Sequence, residues 1–186
     1  MKRQQTLNKR LRWQPLFFAV YRLAMSTQPI KTPCVGLCST VYGDLVCRGC
    51  KRFHHEVVNW NLYGDEAKRA VLQRLEVLLV QVMQGKVAVF DPARLRLQLE
   101  QRAIRFAPQQ SPYCWAYLLI VRGARVISQL EAYGLVLLPE FRGWALPELR
   151  DAIDREFFLL SEAHYERYIA PRFLREGLQG ALESPS

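Results

Sequence analysis

The chain has 186 residues, half of them hydrophobic, which is enough to bury one core, or one core together with a small metal-stabilised module. This composition excludes a disordered tail. The 26 Lys and Arg residues exceed the 17 Asp and Glu residues and give a formal net charge of +9. Such a charge is typical of proteins that bind nucleic acid or an anionic membrane, so its location in the chain decides what it means.

Residues 1–25 form a basic leader that carries +6 of the +9 and contains no acid. Its apolar run, residues 15–20, is too short for a membrane span, and no small-residue cleavage site follows it. We therefore expect a cytoplasmic protein with no membrane span. The leader is interpreted either as a basic arm that binds nucleic acid or as sequence upstream of a true start at Met25.

Four of the five cysteines lie in one stretch of 17 residues and are spaced as Cys-x3-Cys and Cys-x2-Cys with eight residues between the pairs: Cys34, Cys38, Cys47 and Cys50. In a reducing compartment, paired spacing of this kind predicts a metal site rather than disulfides. Two pairs joined by a short loop can surround one centre. Thiolates suit both an iron-sulfur cluster and a single zinc ion, so the spacing leaves both open.

The second pair has the form of a metal-binding knuckle, because Gly49 allows a tight turn whose amides can point at sulfur. The neighbouring bases Arg48, Lys51 and Arg52 are predicted to offset the charge of the thiolates. Two other interpretations are a thioredoxin-like redox pair at Cys47 and Cys50, and four buried thiols without metal. Both explain the paired spacing less well.

The tetracysteine module is predicted to span residues 33–85 and to include two helices. A Gly-Asp turn at residues 43–44 indicates a small hairpin between the two cysteine pairs. A short helix is expected from His54 to near Gly64. Asp65 then caps a longer helix that ends at Gly85, and its apolar residues recur at helical spacing, which is typical of core packing.

Residues 86–178 are predicted to form a C-terminal α+β region. A strand is expected at residues 86–90, followed by a helix that begins at Asp91-Pro92, although residues 94–99 also alternate as a strand would. For residues 113–130 we favour a hairpin, with a helix that begins at Ser111-Pro112 as the alternative. A last helix extends from Pro147 through Tyr168. The fold class is therefore α+β, with a small helical tetracysteine module before a mixed C-terminal region.

Residues 33–38 (PCVGLC) and 47–52 (CRGCKR), with Glu56-Val57 and Trp60, resemble the YdhL-like family of small bacterial proteins, a domain of unknown function and predicted iron-sulfur protein. The family pattern places an arginine after the last cysteine, then an acid, a branched apolar residue and a tryptophan. Arg52, Glu56, Val57 and Trp60 match it. The resemblance covers roughly residues 33–75, and its departures at Phe53 and Tyr63 replace no ligand.

Several remaining residues are assigned packing roles rather than chemistry. His54 and His55 are expected to be exposed at the start of a helix, and Trp60 is expected to cover the metal site. Cys114 is expected to be a small buried hydrophobic residue, and His164 a packed histidine. No Walker loop, dinucleotide fingerprint or catalytic nucleophile motif is present, so the chain is not expected to be an enzyme by itself. A third interpretation, an enzyme built on residues 86–186, has no motif behind it.

The sequence predicts a metal-binding accessory protein with an iron-sulfur cluster and a role in electron transfer or cluster handling. The alternative is a structural zinc module that mediates protein or nucleic-acid interactions. Another protein is the expected partner, and the basic leader also allows nucleic acid.

Overall fold

A computed structural model describes residues 29–173, and every structural statement below refers to them. Five α-helices and a two-stranded antiparallel sheet give the α+β fold class predicted from the sequence. They are α1 His54–Val58, α2 Asp65–Gln84, β1 Val87–Val89, α3 Pro92–Gln101, α4 Pro112–Gly123, β2 Leu135–Leu137 and α5 Leu146–Tyr168. None of these helices is long and apolar enough to cross a membrane. The basic leader at residues 1–25 lies outside the described residues.

Helix α2 forms the centre of the core and packs against both α4 and α5. Its buried side chains recur every three or four residues along one face: Val71, Leu75, Leu78, Leu79, Val82 and Met83. The described residues from Thr32 onward lie in one compact unit. Helix α2 contacts α1 through Arg74 and Glu56, and it packs against α4 and α5 beyond the boundary predicted after residue 85. That boundary stays a prediction.

Turn and cap residues set several of the element boundaries that the sequence predicts. The strand expected at residues 86–90 is β1, and Asp91 caps α3 by accepting a hydrogen bond of 2.9 Å from the backbone amide of Arg94. Residues 94–99 are therefore helical. The sequence analysis did not predict β2, which pairs antiparallel with β1 and brings Val87 opposite Leu137. Three residues are too few to show an alternating pattern.

The hairpin predicted over residues 113–130 is wrong, because residues 112–123 form helix α4. The side chain of Ser111 accepts a hydrogen bond from the amide of Tyr113, and Pro112 follows at the first helical position. Buried positions then recur at helical spacing through Cys114, Trp115, Leu119 and Ile120. The alternative, a helix that begins at Ser111-Pro112, is confirmed.

Two details of the predicted tetracysteine module are also wrong. Residues 39–42 form a 3-10 turn that ends at Gly43, whose φ of 97° lies in the left-handed region, so no hairpin is centred on Gly43-Asp44. At the start of α2, Gly64 occupies the N-cap position and no side chain caps the helix. Asp65 lies in the first turn instead, where its charge interacts favourably with the helix dipole.

Candidate metal centre

The second cysteine pair lies on a tight antiparallel turn that we call the knuckle, residues 46–53. Val46 pairs with Phe53 across it. Inside the turn, the amide of Cys47 donates to the carbonyl of Arg52 and the amide of Lys51 donates to the carbonyl of Cys47, both at 2.8 Å. Lys51 has a φ of 59°, which lets the chain reverse directly after Cys50. The hairpin of the module is therefore built around the cysteines themselves.

Backbone amides converge on the sulfur of Cys47. Burial by itself would raise the pKa of this thiol, but hydrogen bonds from the amides of Cys50, Ser39 and Gly49 and from the Cys50 side chain outweigh burial and lower the pKa to about 7. The thiolate is the form that binds metal. The local backbone thus stabilises the ligating form of Cys47.

Arg52 lies between Cys50 and Trp60. Its Nε is 3.3 Å from the Cys50 sulfur, and its guanidinium lies 4.9 Å from the centre of the Trp60 ring. All three side chains are buried. Burial raises the pKa of the Cys50 thiol, and the hydrogen bond and charge of Arg52 only partly oppose this. Trp60 therefore covers the arginine that contacts sulfur.

Lys51 and Arg48, the other two predicted cations, point away from the sulfurs. The Nζ of Lys51 donates to the carbonyl oxygens of Arg48 and Gly49 at 2.7 and 3.2 Å and forms an ion pair with Asp154 on α5. Its side chain is only 1% exposed. Arg48 is exposed and pairs with Asp44 at 2.9 Å. Lys51 thus fastens the knuckle to α5.

Glu56 anchors α1 to the core. Its carboxylate accepts a hydrogen bond of 2.9 Å from the Phe53 amide and one of 2.7 Å from Arg74 on α2. Arg74 lies 3.7 Å from the centre of the Phe53 ring, and its Nε and Nη1 have no hydrogen-bond partner among residues 29–173. Arg74 is not among the site residues predicted from the sequence. A lone base between Val71 and Leu75, on the apolar stripe of α2, was the available signal.

The first cysteine pair lies in a segment without helix or strand. Cys34 is exposed and its sulfur accepts a weak hydrogen bond of 3.4 Å from the amide of Gly36. Cys38 is partly buried, with its sulfur 3.0 Å from the hydroxyl oxygen of Thr40. Within residues 29–173, the sulfur hydrogen bonds of Cys34 and Cys38 are made to near neighbours in the chain and not to the helices.

The two cysteine pairs meet at Gly49. A Cβ at this position would lie 2.7 Å from the Leu37 carbonyl oxygen and 2.7 Å from a methyl group of Val35. The Cys47 thiol also lies 3.8 Å from the Leu37 carbonyl oxygen. Only glycine lets the segment that carries Cys34 and Cys38 pass this close to the knuckle.

The donor chemistry fits a thiolate-bound metal, but the arrangement is incomplete. Within residues 29–173, no group of three or more His, Cys, Asp and Glu side chains converges as metal ligands would. Cys47 and Cys50 are together, whereas Cys34 and Cys38 flank the segment that crosses Gly49. Four-thiolate ligation therefore stays a prediction.

Two histidines and the fifth cysteine neighbour the knuckle: His55 and His164 contact Phe53, and Cys114 lines a cavity together with Cys50 and Gly49. His54 is exposed as predicted, but His55 is partly buried, because its ring contacts Phe53 and Phe173. The expectation that His55 is exposed is therefore wrong. His164 is packed against Tyr168, as predicted. Cys114 is buried, and burial raises the pKa of its thiol to about 12, so it is the small hydrophobic residue predicted.

Comparison with known proteins places the similarity on the same part of the chain. Residues 32–78 match the model of a family described as a protein of unknown function (DUF1289). The uncharacterized protein YdhL of Escherichia coli O6:H1 is 37% identical over 65 residues, which cover 35% of this chain and 76% of that protein. No solved structure gives a significant match. The match includes the knuckle, α1 and most of α2, and the chain therefore belongs to the YdhL-like DUF1289 family.

Proposed function

We propose that Cys34, Cys38, Cys47 and Cys50 bind one iron-sulfur cluster, and that the chain is a metal-binding accessory protein for electron transfer or cluster handling. The observation that carries the proposal is the set of donors around the second pair. Backbone amides reach the sulfur of Cys47, and the Arg52 guanidinium reaches that of Cys50. Donors of this kind stabilise metal-bound thiolates and tune a cluster.

Several protein contacts hold the knuckle against the core, which favours a functional metal over a structural one. Val46, Phe53 and Tyr165 form a small apolar cluster between the knuckle and α5. The ion pairs of Lys51 with Asp154 and of Glu56 with Arg74 add to it. Small zinc modules that need the metal to fold lack such support.

Ligation by all four cysteines requires only the flanking segment to adjust. Residues 33–38 have no regular secondary structure and already pass over Gly49, so Cys34 and Cys38 are near the knuckle in sequence and in space. When bound, an iron-sulfur cluster supplies one-electron chemistry. The chain would contribute the four thiolates, the amide donors and the charge of Arg52, while Trp60 excludes water from that arginine.

Anaerobic purification of the full chain tests the proposal. We expect a brown protein with visible absorption and with iron and acid-labile sulfide in similar amounts. Loss of that colour on exposure to air, with retention of the helical circular-dichroism signal, would further support a functional cluster on a stable frame. A folded, colourless protein that contains neither iron nor zinc would overturn the metal proposal.

The alternative is one structural zinc ion that organises an interaction surface for a protein or nucleic acid. The exposed Arg48 and the exposed apolar side chains near the first cysteine pair favour this second candidate. A colourless protein with about one zinc per chain, as expected for a four-cysteine structural site, would support it and exclude the cluster. Removal of zinc would then unfold residues 33–53 while the α2–α4–α5 core remains.

A further inference from the structure

One face of the cysteine module presents several large apolar side chains to solvent. We call it the module face, and its members are exposed to between 57% and 89%: Val35, Leu37, Val41, Tyr42 and Leu45. Four of them, all but Leu45, line a single open groove. Its other lining residues are Gly36, Cys38, Ser39, Arg48 and Gly49. Scattered exposed apolar residues are ordinary, but a contiguous apolar groove marks an interaction site.

A second groove, rich in arginine, adjoins the module face. It lies between the knuckle, α4 and α5 and contains Arg48, Arg150 and Arg155 above the apolar side chains of Val121 and Phe158. Arg48 lines both grooves, so they form one continuous surface. Its guanidinium also lies 4.9 Å from the centre of the Phe158 ring, which holds the charge at the junction.

The charges in this arginine groove do not cancel. Asp154 forms an ion pair with the buried Lys51, and Asp151 forms an ion pair of 2.7 Å with Arg150. Arg155 is exposed and makes no salt bridge with any residue in the described range 29–173. Arg48 shares its charge with Asp44 at the rim. An excess of positive charge therefore faces solvent beside an apolar groove.

We propose that the module face and the arginine groove together dock a partner protein through a segment in which apolar side chains alternate with carboxylates. The apolar side chains would enter the groove between Leu37 and Tyr42. The carboxylates would pair with Arg155 and Arg48, whose planar guanidinium groups bind carboxylates through two hydrogen bonds.

A protein segment fits this surface better than nucleic acid does. Asp151 and Asp154 lie within the arginine groove and would repel a continuous row of phosphates. The module face offers mainly aliphatic side chains, with one aromatic ring at Tyr42, and single-stranded nucleic acid stacks on several aromatic rings. A protein segment can place single carboxylates beside the arginines and apolar side chains in the aliphatic groove, and so suits both parts of the surface.

Binding of synthetic peptides to the full chain, measured by fluorescence anisotropy, tests the proposal. The probes are a labelled peptide of alternating leucine and glutamate, the same peptide with lysine in place of glutamate, and a labelled oligothymidine. We expect the glutamate peptide to bind at least about tenfold more tightly than the lysine peptide, with a preference that weakens as salt is added.

Matched variants locate the binding surface. Arg155→Glu should weaken binding of the glutamate peptide about tenfold and strengthen binding of the lysine peptide, because it reverses one charge of the surface. Leu37→Ser should weaken both peptides about fivefold, since it removes an apolar contact. The controls Arg105→Glu and Val126→Ser change exposed residues that line neither groove and should bind as the unaltered chain does.

Two results would overturn the proposal. One is equal affinity for the glutamate and lysine peptides. The other is tighter binding of oligothymidine that Arg155→Glu abolishes, which would identify a nucleic-acid surface instead. Circular dichroism of each variant verifies folding, and Leu37→Ser keeps the test open if Arg155→Glu fails to fold. Metal content is measured separately, so failure of docking is distinct from failure of the metal proposal.

Discussion

The two cysteine pairs differ in how the rest of the molecule holds them. Cys47 and Cys50 are buried in a knuckle that is bonded internally and fastened to α5 through Lys51. Cys34 and Cys38 lie in a segment without helix or strand. That segment contacts the knuckle at Gly49 and through a hydrogen bond of 2.9 Å from the Arg48 amide to the hydroxyl of Ser39. One pair is therefore preorganised, whereas the other has no helix or strand of its own and depends on contacts of its segment with the knuckle. This asymmetry suits a centre with one fixed side and one accessible side.

Removing one cysteine from each pair is expected to give the largest effect. For the proposed centre, Cys50→Ser should lose nearly all bound metal, because it removes a proposed ligand from the preorganised half. Cys34→Ser should retain a measurable fraction, since solvent can replace an exposed ligand. The control Cys114→Ser changes the fifth cysteine, which lines a cavity with Cys50 but is not a proposed ligand, and it should bind metal normally. Metal analysis of anaerobically purified protein is the measurement, and equal losses for Cys34→Ser and Cys50→Ser would contradict the asymmetry.

Gly49→Ala tests the contact between the two halves. The added methyl group would lie 2.7 Å from both Leu37 and Val35, so the first cysteine pair must move away. We expect metal affinity to fall roughly tenfold, comparable to the loss of a residue that orients ligands. Gly64→Ala adds the same methyl group where nothing lies within 4 Å and should have no effect on metal. Unchanged affinity in Gly49→Ala would show that the halves do not need this approach.

Glu56→Gln tests the anchor of the preorganised half. The change leaves the Arg74 guanidinium buried without its anion, and breaking a buried pair in this way costs about 3–5 kcal/mol of the free energy of unfolding. Urea denaturation of the metal-free chain measures it. The matched control is Asp65→Asn, which breaks an exposed pair with Arg69 and should cost less than about 1 kcal/mol. Equal losses in the two variants would mean that the Glu56–Arg74 pair does not anchor the knuckle.

The smallest expected effect is on pH dependence beside the same anchor. Burial lowers the pKa values of His55 and His164, and the charge of Arg74 lowers them further against the opposing charge of Glu56. Well above the ordinary histidine pKa of 6.5, both histidines are neutral in the folded and in the unfolded chain. As the pH falls below 6.5, the unfolded chain binds protons more readily, so stability decreases.

A double variant isolates this contribution. His55→Gln with His164→Gln should flatten the decrease in stability below pH 6.5, measured by urea denaturation at several pH values. His54→Gln changes an exposed neighbour and serves as the control. A decrease of unchanged steepness in the double variant would assign the pH dependence to other groups.

The sequence predicts local features of this protein well because local chemistry determines them. The Asp91-Pro92 pair identifies the start of α3, and the apolar stripe identifies α2. The hairpin predicted at residues 113–130 failed because a continuous apolar run has no periodicity that separates a strand from a buried helix. In the structure this run is the buried helix α4, which packs against both α2 and α5.

The candidate site divides in the same way. Paired cysteines and Gly49 are visible in the sequence, because spacing alone indicates a knuckle. The partners of Lys51 and Glu56 are not visible, since Asp154 lies 103 residues from Lys51 and Arg74 lies 18 residues from Glu56. The charge of Lys51 was predicted to act on sulfur, but the fold directs it to carbonyl oxygens and to α5 instead.

At position 51 the backbone conformation favours glycine, whereas the side-chain contacts require lysine. A residue other than glycine with a φ of 59° carries about 1–3 kcal/mol of backbone strain, and glycine would relieve it. Glycine, however, has no amine to hold two carbonyl oxygens and reach Asp154. Local relaxation and long-range attachment therefore compete at one residue. A strained lysine persists here because its side chain joins the turn that carries two cysteines to a helix more than a hundred residues away.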